Sequence, residues 1–383
     1  MGAKVPWLET SIMEQRREFV MLFEQDGANR RALCERFGIS PETGYALARR
    51  YRQEGAAGLA DRSRRPKRSP ERTPAAMEGL ILWVRDAHPS WGGRKIRRRL
   101  QDLGHAGVPS ASTVTEVLRR YRRLDAAASA VREARQRFER AAPNELWQMD
   151  FKGHFLLGRG GRCHPLTVLD DHSRYALGLR ACGDETDGTV KTELTAVFRR
   201  YGLPQRMLMD NGSPWGSASA EHRYTRFELW LMELGIAVSH GRPYHPQTQG
   251  KDERFHRTLA AEAIGRRSFA DLADCQRRFD QWRQVYNTER PHEALDLATP
   301  ITRYVPSRRG FPETLEPFDY GPGAILRRVD ETGWLSFRNH PLKLGRAFIH
   351  RQVALRPALP DGCFDVFFCG HKVAAFDLRE TTS

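Results

Sequence analysis

The sequence predicts an α/β protein. It consists of a mixed sheet with helices packed on it, two helical units of helix-turn-helix type in front, and a small β-barrel behind. Three observations carry that reading. Between residues 147 and 288, short apolar runs alternate with segments of helical spacing. Residues 12–55 hold three short helical runs, the last two joined by a turn containing glycine. Residues 324–378 shift to β character, with short runs separated by turn signals. The 383 residues leave room for several domains. The divisions expected are 1–60, 61–140, 141–310 and 311–383.

In the first unit a helix from Met13 to Phe23 carries Phe19, Val20, Leu22 and Phe23. Asn29 is placed to cap a second helix with Ala32, Leu33 and Phe37. Gly38-Ile39-Ser40-Pro41 makes a turn, and Glu42 to Gln53 is the third helix. On it Thr43, Gly44, Tyr45 and Ala48 precede Arg49, Arg50 and Arg52. A recognition helix sets its first turn against base edges and its basic end against phosphates. A plain three-helix bundle would show the same spacing. The run Arg62, Arg64, Arg65, Lys67 and Arg68 is too charged to pack and should be extended. It suits a minor-groove arm or a solvated tether equally.

The second helical unit begins with Met77, Leu80, Ile81 and Val84 at helical spacing. Arg94 and Lys95, candidate DNA contacts, lie near the start of the next helix, which runs through Leu100. A third spans Thr113 to Tyr121, with Val114, Val117 and Leu118 inward. Residues 126–142, rich in Ala, Arg and Glu, read as a connecting helix.

Charge separates the front of the chain from the rest. The net charge is +15, and residues 1–140 carry 29 Lys/Arg against 17 Asp/Glu, a net +12. Such a front end calls for a polyanion partner. No apolar run reaches the length of about 18 residues that a membrane span needs, and the start lacks a signal-peptide core. The six cysteines show no paired spacing and read as reduced cytoplasmic thiols. Phosphate-binding glycine loops are missing, so no nucleotide cofactor is expected.

The core reads as a meander of Trp147–Phe155, Cys163–Asp170 and Tyr175–Ala181, then a helix from Thr189 to Tyr201. A short strand Arg206–Asp210, a helix Phe227–Leu234 and a strand Ile236–Ser239 follow, and then helices over 248–264 and 270–288. The last region holds strands at 324–329, 334–337, 352–356, 363–368 and 372–376. There Arg327, Arg328, Arg338 and Arg356 make either a DNA face or plain surface charge.

Three acids stand out against this frame. Asp150 lies in the first core strand, and Asp210 ends the apolar run Met207-Leu208-Met209. Glu253 follows a Pro/Gln/Gly-rich loop and opens a helical segment with Phe255, Leu259 and Ile264 on or near one face. Carboxylates on two strands and a helix suit hard divalent cations, two of which can clamp an in-line phosphoryl displacement. Spacing alone is a weak signal, because a lone strand-end Asp is commonly a cap.

The wording around these acids is more specific. It includes Trp147-Gln148-Met149-Asp150, Asp170-Asp171-His172-Ser173-Arg174 and Asp210-Asn211-Gly212. Pro243-Tyr244-His245-Pro246-Gln247, Gly250-Lys251, Glu253-Arg254-Phe255-His256 and Thr258-Leu259 follow. It closes with Tyr286-Asn287, Arg290-Pro291-His292, Leu295 and Thr299-Pro300. This ordered set, over roughly residues 140–305, resembles the integrase-like core of bacterial insertion-sequence transposases. That DDE superfamily includes retroviral integrases. The wording is nearest to the insertion sequences numbered four-eighty-one, then to those numbered three.

The resemblance implies an RNase-H-like fold with Asp150, Asp210 and Glu253 as the triad. Asp252 is the neighbour set aside, because it points about 100° away on the same helix. The implied cofactor is a pair of Mg²⁺ ions, with Mn²⁺ as substitute, Asp150 reaching both and the other two acids one each. Water then cleaves the phosphodiester at an element end, and the freed 3′-OH attacks target DNA. The implied partners are double-stranded DNA, as terminal inverted repeats and target, and further copies of the chain, at least a dimer. Lys251, Arg254 and Arg257 are candidates to hold phosphates, Asn211 to support Asp210, and His256 to orient DNA or substrate. Two rivals stay open: a regulator that binds DNA but has lost catalysis, and an RNase-H-type nuclease that hydrolyses without joining.

Overall fold

The computed structural model describes residues 11–62, 72–124, 139–216, 224–241, 250–265 and 267–379. Contacts divide the chain into two compact units, Met1–Arg72 and Thr73–Ser383.

In the first unit helices form where side-chain caps start them. Helix α1 (Ile12–Phe23) begins at Ser11, which makes a reciprocal capping box with Glu14. Asn29 caps α2 (Arg30–Arg36) by accepting from the Ala32 N–H. Ser40 caps α3 (Pro41–Glu54), which has proline in its first turn. Phe19, Val20, Phe23, Cys34, Leu47, Ala48 and Leu59 form the core. Gly44 lets α3 cross α2 closely, since a Cβ there would sit 2.6 Å from Cys34 Sγ.

The second unit starts with another three helices, α4 (Ala75–Ala87), α5 (Gly93–Asp102) and α6 (Ala111–Arg120). Ile81, Val84, Trp91, Ile96, Leu100, Val114, Val117 and Leu118 pack inside them, and Val285 of the following core joins the cluster. The connecting helix expected over 126–142 falls mostly on residues outside the described ones.

The core sheet is built from β1 (Trp147–Phe151), β2 (Phe155–Leu156), β3 (Arg162–Asp170), β4 (Ala176–Cys182), β5 (Arg206–Met209) and β6 (Ala237–His240). The first expected strand is split in two, because the backbone breaks between Phe151 and Phe155 around Gly153, which has φ 79°. β3 pairs antiparallel with β1, β2 and β4, while β1, β5 and β6 run parallel. Helices α7 (Asp187–Tyr201) and α8 (Arg226–Glu233) bury Val190, Leu194, Phe198, Phe227 and Leu231 with Leu166 and Val168 on one face. Helices α9 (Gly250–Leu259) and α10 (Leu272–Thr288) bury Phe255, Leu259, Phe279 and Tyr286 with Cys163 and Leu169 on the other. Strand alternation thus feeds two cores from one sheet. A π-helical turn, Ala260–Ile264, extends α9.

Glu262 in that turn ties three elements together. Its carboxylate accepts from Arg290 Nε at 3.0 Å, from the Trp282 indole at 3.3 Å and from Ser90 Oγ at 2.8 Å. The Glu262 and Arg290 side chains are both almost buried. Glu262→Ala would leave the Arg290 charge buried and unpaired, so a loss of about 3 kcal/mol is expected in urea unfolding. A loss under about 1 kcal/mol, the range of an exposed pair, would refute this account of the joint.

The C-terminal region forms a four-stranded sheet and a hairpin. The sheet is β7 (Ile325–Arg328), β10 (Gln352–Ala358), β11 (Cys363–Phe368) and β12 (His371–Asp377). The hairpin is β8 (Trp334–Phe337) and β9 (His340–Lys343). Phe337 of the hairpin meets Phe364 of the sheet edge to face at 5.0 Å. Leu229 and Met232 of α8 join this third core.

Candidate active site

Asp150 and Asp210 come from neighbouring strands. In the parallel pair, Trp147 lies beside Met207 and Gln148 beside Leu208. Carried forward two residues, that register sets Asp150 level with Asp210 at the carboxyl ends of β1 and β5. Burial pushes the Asp150 carboxyl up to about 7, and the Asp210 charge adds to the rise. The Phe151 N–H works against it, and Glu185 adds a smaller repulsion.

Asp210 is held on both sides. Its Oδ1 accepts from the Gly212 N–H at 2.9 Å and from the Trp215 indole N–H. Its carbonyl lies 2.7 Å from His240 Nδ1, and His240 Nε2 lies 2.7 Å from Glu228 Oε1. Glu228 also closes the capping box that starts α8. Asn211 does not support the carboxylate as expected. Its Nδ2 donates to the Gly241 carbonyl at 3.0 Å, so it pins the loop to the end of β6 instead.

On α9 the two neighbouring acids, Asp252 and Glu253, lie on different sides of the helix. Asp252 shares the buried face with Phe255 and Leu259, at i, i+3 and i+7, and is only 3% exposed. Burial, then the charges of Asp150 and Asp171, hold its carboxyl well above the usual range. Its Oδ1 has no partner among the described residues. Glu253, one residue further, is on the exposed side. Asp252 is therefore the acid of this helix that faces Asp150. Among the described residues, no three His, Cys, Asp or Glu side chains converge closely enough to hold a metal ion. The aspartate pair stands together, and Glu253 does not complete a preformed ligand set.

His256 grips β1 from below. The Thr167 hydroxyl donates to the Asp150 carbonyl at 2.9 Å, so His256 Nε2, 2.9 Å from the same hydroxyl, must be the donor there. Nδ1 is then the bare nitrogen, 3.8 Å from Asp150 Oδ2. Burial lowers this imidazole to about 4, and Lys152 adds to the effect. The unfolded chain therefore takes up the proton first as pH falls. The stability His256 contributes is complete above about 6.5 and is lost on the way down to about 4. In urea titrations the gap between wild type and His256→Gln should narrow across that window. A gap that stays constant with pH would contradict a neutral buried imidazole.

Several expected DNA contacts are committed elsewhere. Lys251 pairs with Asp171, and both are largely buried, so it is not free for a phosphate. Arg254 pairs with Glu293 at 3.0 Å. Burial and the adjacent Arg290 push Lys95 down to about 8, inside the joint between α5 and the core. Arg50 donates to the Ala60 carbonyl, Arg52 to Glu24 at 3.2 Å and Arg62 to Glu54. Gly44 and Ala48 face inward. Thr43, Tyr45, Arg49, Arg94 and Arg257 are exposed. Arg64, Arg65, Lys67 and Arg68 lie outside the described residues.

Sequence reasoning missed Trp215, Glu228, His240 and Thr167. Thr225-x-x-Glu228 was readable as a capping box. The others show only through distant partners.

Known proteins match this arrangement segment by segment. Residues 140–246 and 234–300 match two integrase core domain families. Residues 325–383 match the C-terminal domain of IS481 family transposases. The chain belongs to the bacterial insertion-sequence transposases with an integrase-type core. Residues 15–67 match a helix-turn-helix domain, and residues 43–118 a homeodomain-like domain. One relative is the "Insertion element IS407 uncharacterized 31.7 kDa protein" of Burkholderia multivorans. It is 28% identical over 253 residues, covering 60% of this chain and 88% of its own. Another is the "Transposase for insertion sequence element IS904" of Lactococcus lactis, 27% identical over 183 residues, covering 47% of this chain and 69% of its own. Among solved structures, the HTLV-2 integrase catalytic core domain in complex with magnesium aligns at 17% identity with a TM-score of 0.33. That alignment covers 43% of this chain and 97% of the integrase core. Among the described residues no helix is long and apolar enough to cross a membrane.

Proposed function

We propose that the chain binds the ends of its insertion sequence as double-stranded DNA, cleaves them at their 3′ ends in a metal-dependent reaction, and transfers the freed strands into target DNA. The observation that carries this reading is the pairing of Asp150 with Asp210 across β1 and β5, in a chain of this family. Two half-buried carboxylates repel one another, which is part of why the Asp150 carboxyl sits high. A hard divalent cation takes oxygen donors of this kind and relieves that repulsion.

The cation proposed is Mg²⁺, two ions, with Mn²⁺ able to substitute, held by Asp150, Asp210 and Glu253. When bound, such a pair supplies charge neutralisation and nucleophile activation for in-line displacement. The chain's own residues do the positioning. Parallel pairing joins β1 to β5 just before the two aspartates, and neutral His256 fixes the β1 backbone through Thr167 without adding charge. Glu253 brings a long carboxylate side chain from the open side of α9. Asp252 is the competing third ligand because it faces Asp150. Its burial counts against it, since burial raises its carboxyl and opposes the ionisation that cation binding needs.

DNA reading is assigned to Thr43, Tyr45 and Arg49 on the exposed side of α3, and to Arg94 of α5. The exposed Arg257 of α9 is assigned to phosphate contact, as are Arg64, Arg65, Lys67 and Arg68. The proposed division is reader 1–60, basic linker and second reader 61–140, catalytic core 141–310 and C-terminal β unit 311–383. The test mixes the chain, a duplex ending in the element's terminal repeat, and supercoiled plasmid with Mg²⁺. Joined donor–plasmid products are expected, and chelator should abolish them. End-specific binding with no joining under any divalent ion would favour a regulator.

A further inference from the structure

Asp210 sits just beyond a four-residue strand, in a loop, yet a cation ligand must present a fixed oxygen. The structure assigns that fixing to Trp215, a positioning residue. This inference rests on the reading of Asp210 as a ligand.

Two donors converge on one carboxylate oxygen. The Gly212 N–H and the Trp215 indole N–H both point at Asp210 Oδ1. Their hydrogen bonds occupy that oxygen and leave Oδ2 open, so Asp210 would hold a cation through that one oxygen. The direction of the indole N–H is set by the core. Trp215 is 1% exposed and stacks on Phe151 with ring centroids 5.2 Å apart and planes 12° apart. Its other neighbour is Phe227 of α8. The loop is closed behind it by the Gly216 N–H to the Gly212 carbonyl at 2.7 Å and by Thr225 Oγ1 to the Trp215 carbonyl at 3.3 Å. Gly212 allows the approach, since a Cβ there would lie 3.2 Å from Asp210 Oδ2.

An indole suits this task chemically. It donates one hydrogen bond, accepts none, and does not titrate, so it cannot compete for the cation or change state with pH. The same ring packs on the residue next to Asp150. One aromatic plate thus braces both aspartates, stacking beside one and bonding the other. Partners of this kind behind metal-ligating carboxylates set affinity by about 10- to 100-fold.

The test uses the full chain. Trp215→Phe keeps a ring to stack on Phe151 and deletes the N–H. Phe151→Leu removes the stack and keeps the N–H. Mn²⁺ binding is read without DNA from the loss of the free-ion paramagnetic resonance signal. Single-turnover cleavage of an end duplex is then measured against Mn²⁺ concentration. Trp215→Phe should weaken Mn²⁺ binding about tenfold, with cleavage recovering toward wild type at saturating Mn²⁺. Phe151→Leu should fall in between. If Trp215→Phe does not fold, the sulfur isostere of tryptophan, placed at this position alone, removes the N–H at constant shape and should give the same shift. Unchanged Mn²⁺ binding without the indole N–H, while Asp210→Asn loses it, would overturn the role of Trp215 and leave Asp210 a ligand. Unchanged binding in Asp210→Asn as well would overturn both.

Discussion

Asp150→Asn and Asp210→Asn should each reduce cleavage of element-end DNA by at least about 10³-fold, the scale of losing one group that stabilises developing charge in a dry site. End binding should survive, because the exposed readers Thr43, Tyr45 and Arg49 belong to a unit with its own core. Glu253→Gln should behave like the aspartate variants. Asp252→Asn changes an acid that is buried, with its carboxyl held above the usual range, so it should leave most cleavage intact. The four variants are compared by single-turnover cleavage and by gel shift on the same duplex. A dead Asp252→Asn beside an active Glu253→Gln would transfer the third ligand to Asp252.

That contrast also marks where the sequence stopped being informative. Asp150 and Asp210 were legible as strand residues, Asp150 within a short apolar-polar run and Asp210 at the end of an apolar one, and the family resemblance implied that their strands are neighbours. The inward face of α9 was legible in principle, since Asp252, Phe255 and Leu259 repeat at i, i+3 and i+7. The family wording drew attention to Glu253 instead. The fate of the basic residues was not legible. Lys251 meets Asp171 from 80 residues away and Arg254 meets Glu293 from 39 away, and no local pattern encodes such pairs. Lys95 reads as a DNA contact in sequence but lies in a joint with Arg290 and Glu262. Strand β9 was missed because Pro341 argues against a strand. In a two-stranded hairpin its missing N–H costs little. Arg338 and Asn339, at φ 51° and 64°, form the tight turn before it.

Joining should be restored in mixtures of two inactive proteins. One active site holds one scissile phosphate, while the proposed insertion joins two ends to two target strands, so that proposal calls for at least two copies acting together on DNA. A chain carrying Glu253→Gln keeps its readers. A chain with Tyr45→Ala and Arg49→Ala keeps its acids. Neither should join alone, and together they should recover a measurable fraction of wild-type joining if a copy bound to one end cleaves the other. The readout is donor–plasmid product at fixed total protein across mixing ratios, with a maximum expected near equal amounts. A reader fragment of residues 1–140 is a poorer test, because it would cut α4–α6 from Glu262, Glu289 and Val285. Activity that tracks wild-type copies alone, without rescue at any ratio, would place cleavage in cis.

If the Asp150–Asp210 pair cuts the element's end and leaves a 3′-OH able to attack, the position of the cut reveals it. A labelled duplex carrying the terminal repeat and its flanking DNA is incubated with the chain and Mg²⁺, and the products are sized to the nucleotide. An RNA–DNA hybrid of equal length is run alongside. The account predicts one divalent-dependent nick at the 3′ boundary of the repeat, lost in Asp150→Asn, whose 3′-OH strand then appears joined to target DNA. Unplaced nicks, or hydrolysis of the hybrid in preference to the duplex, would contradict it.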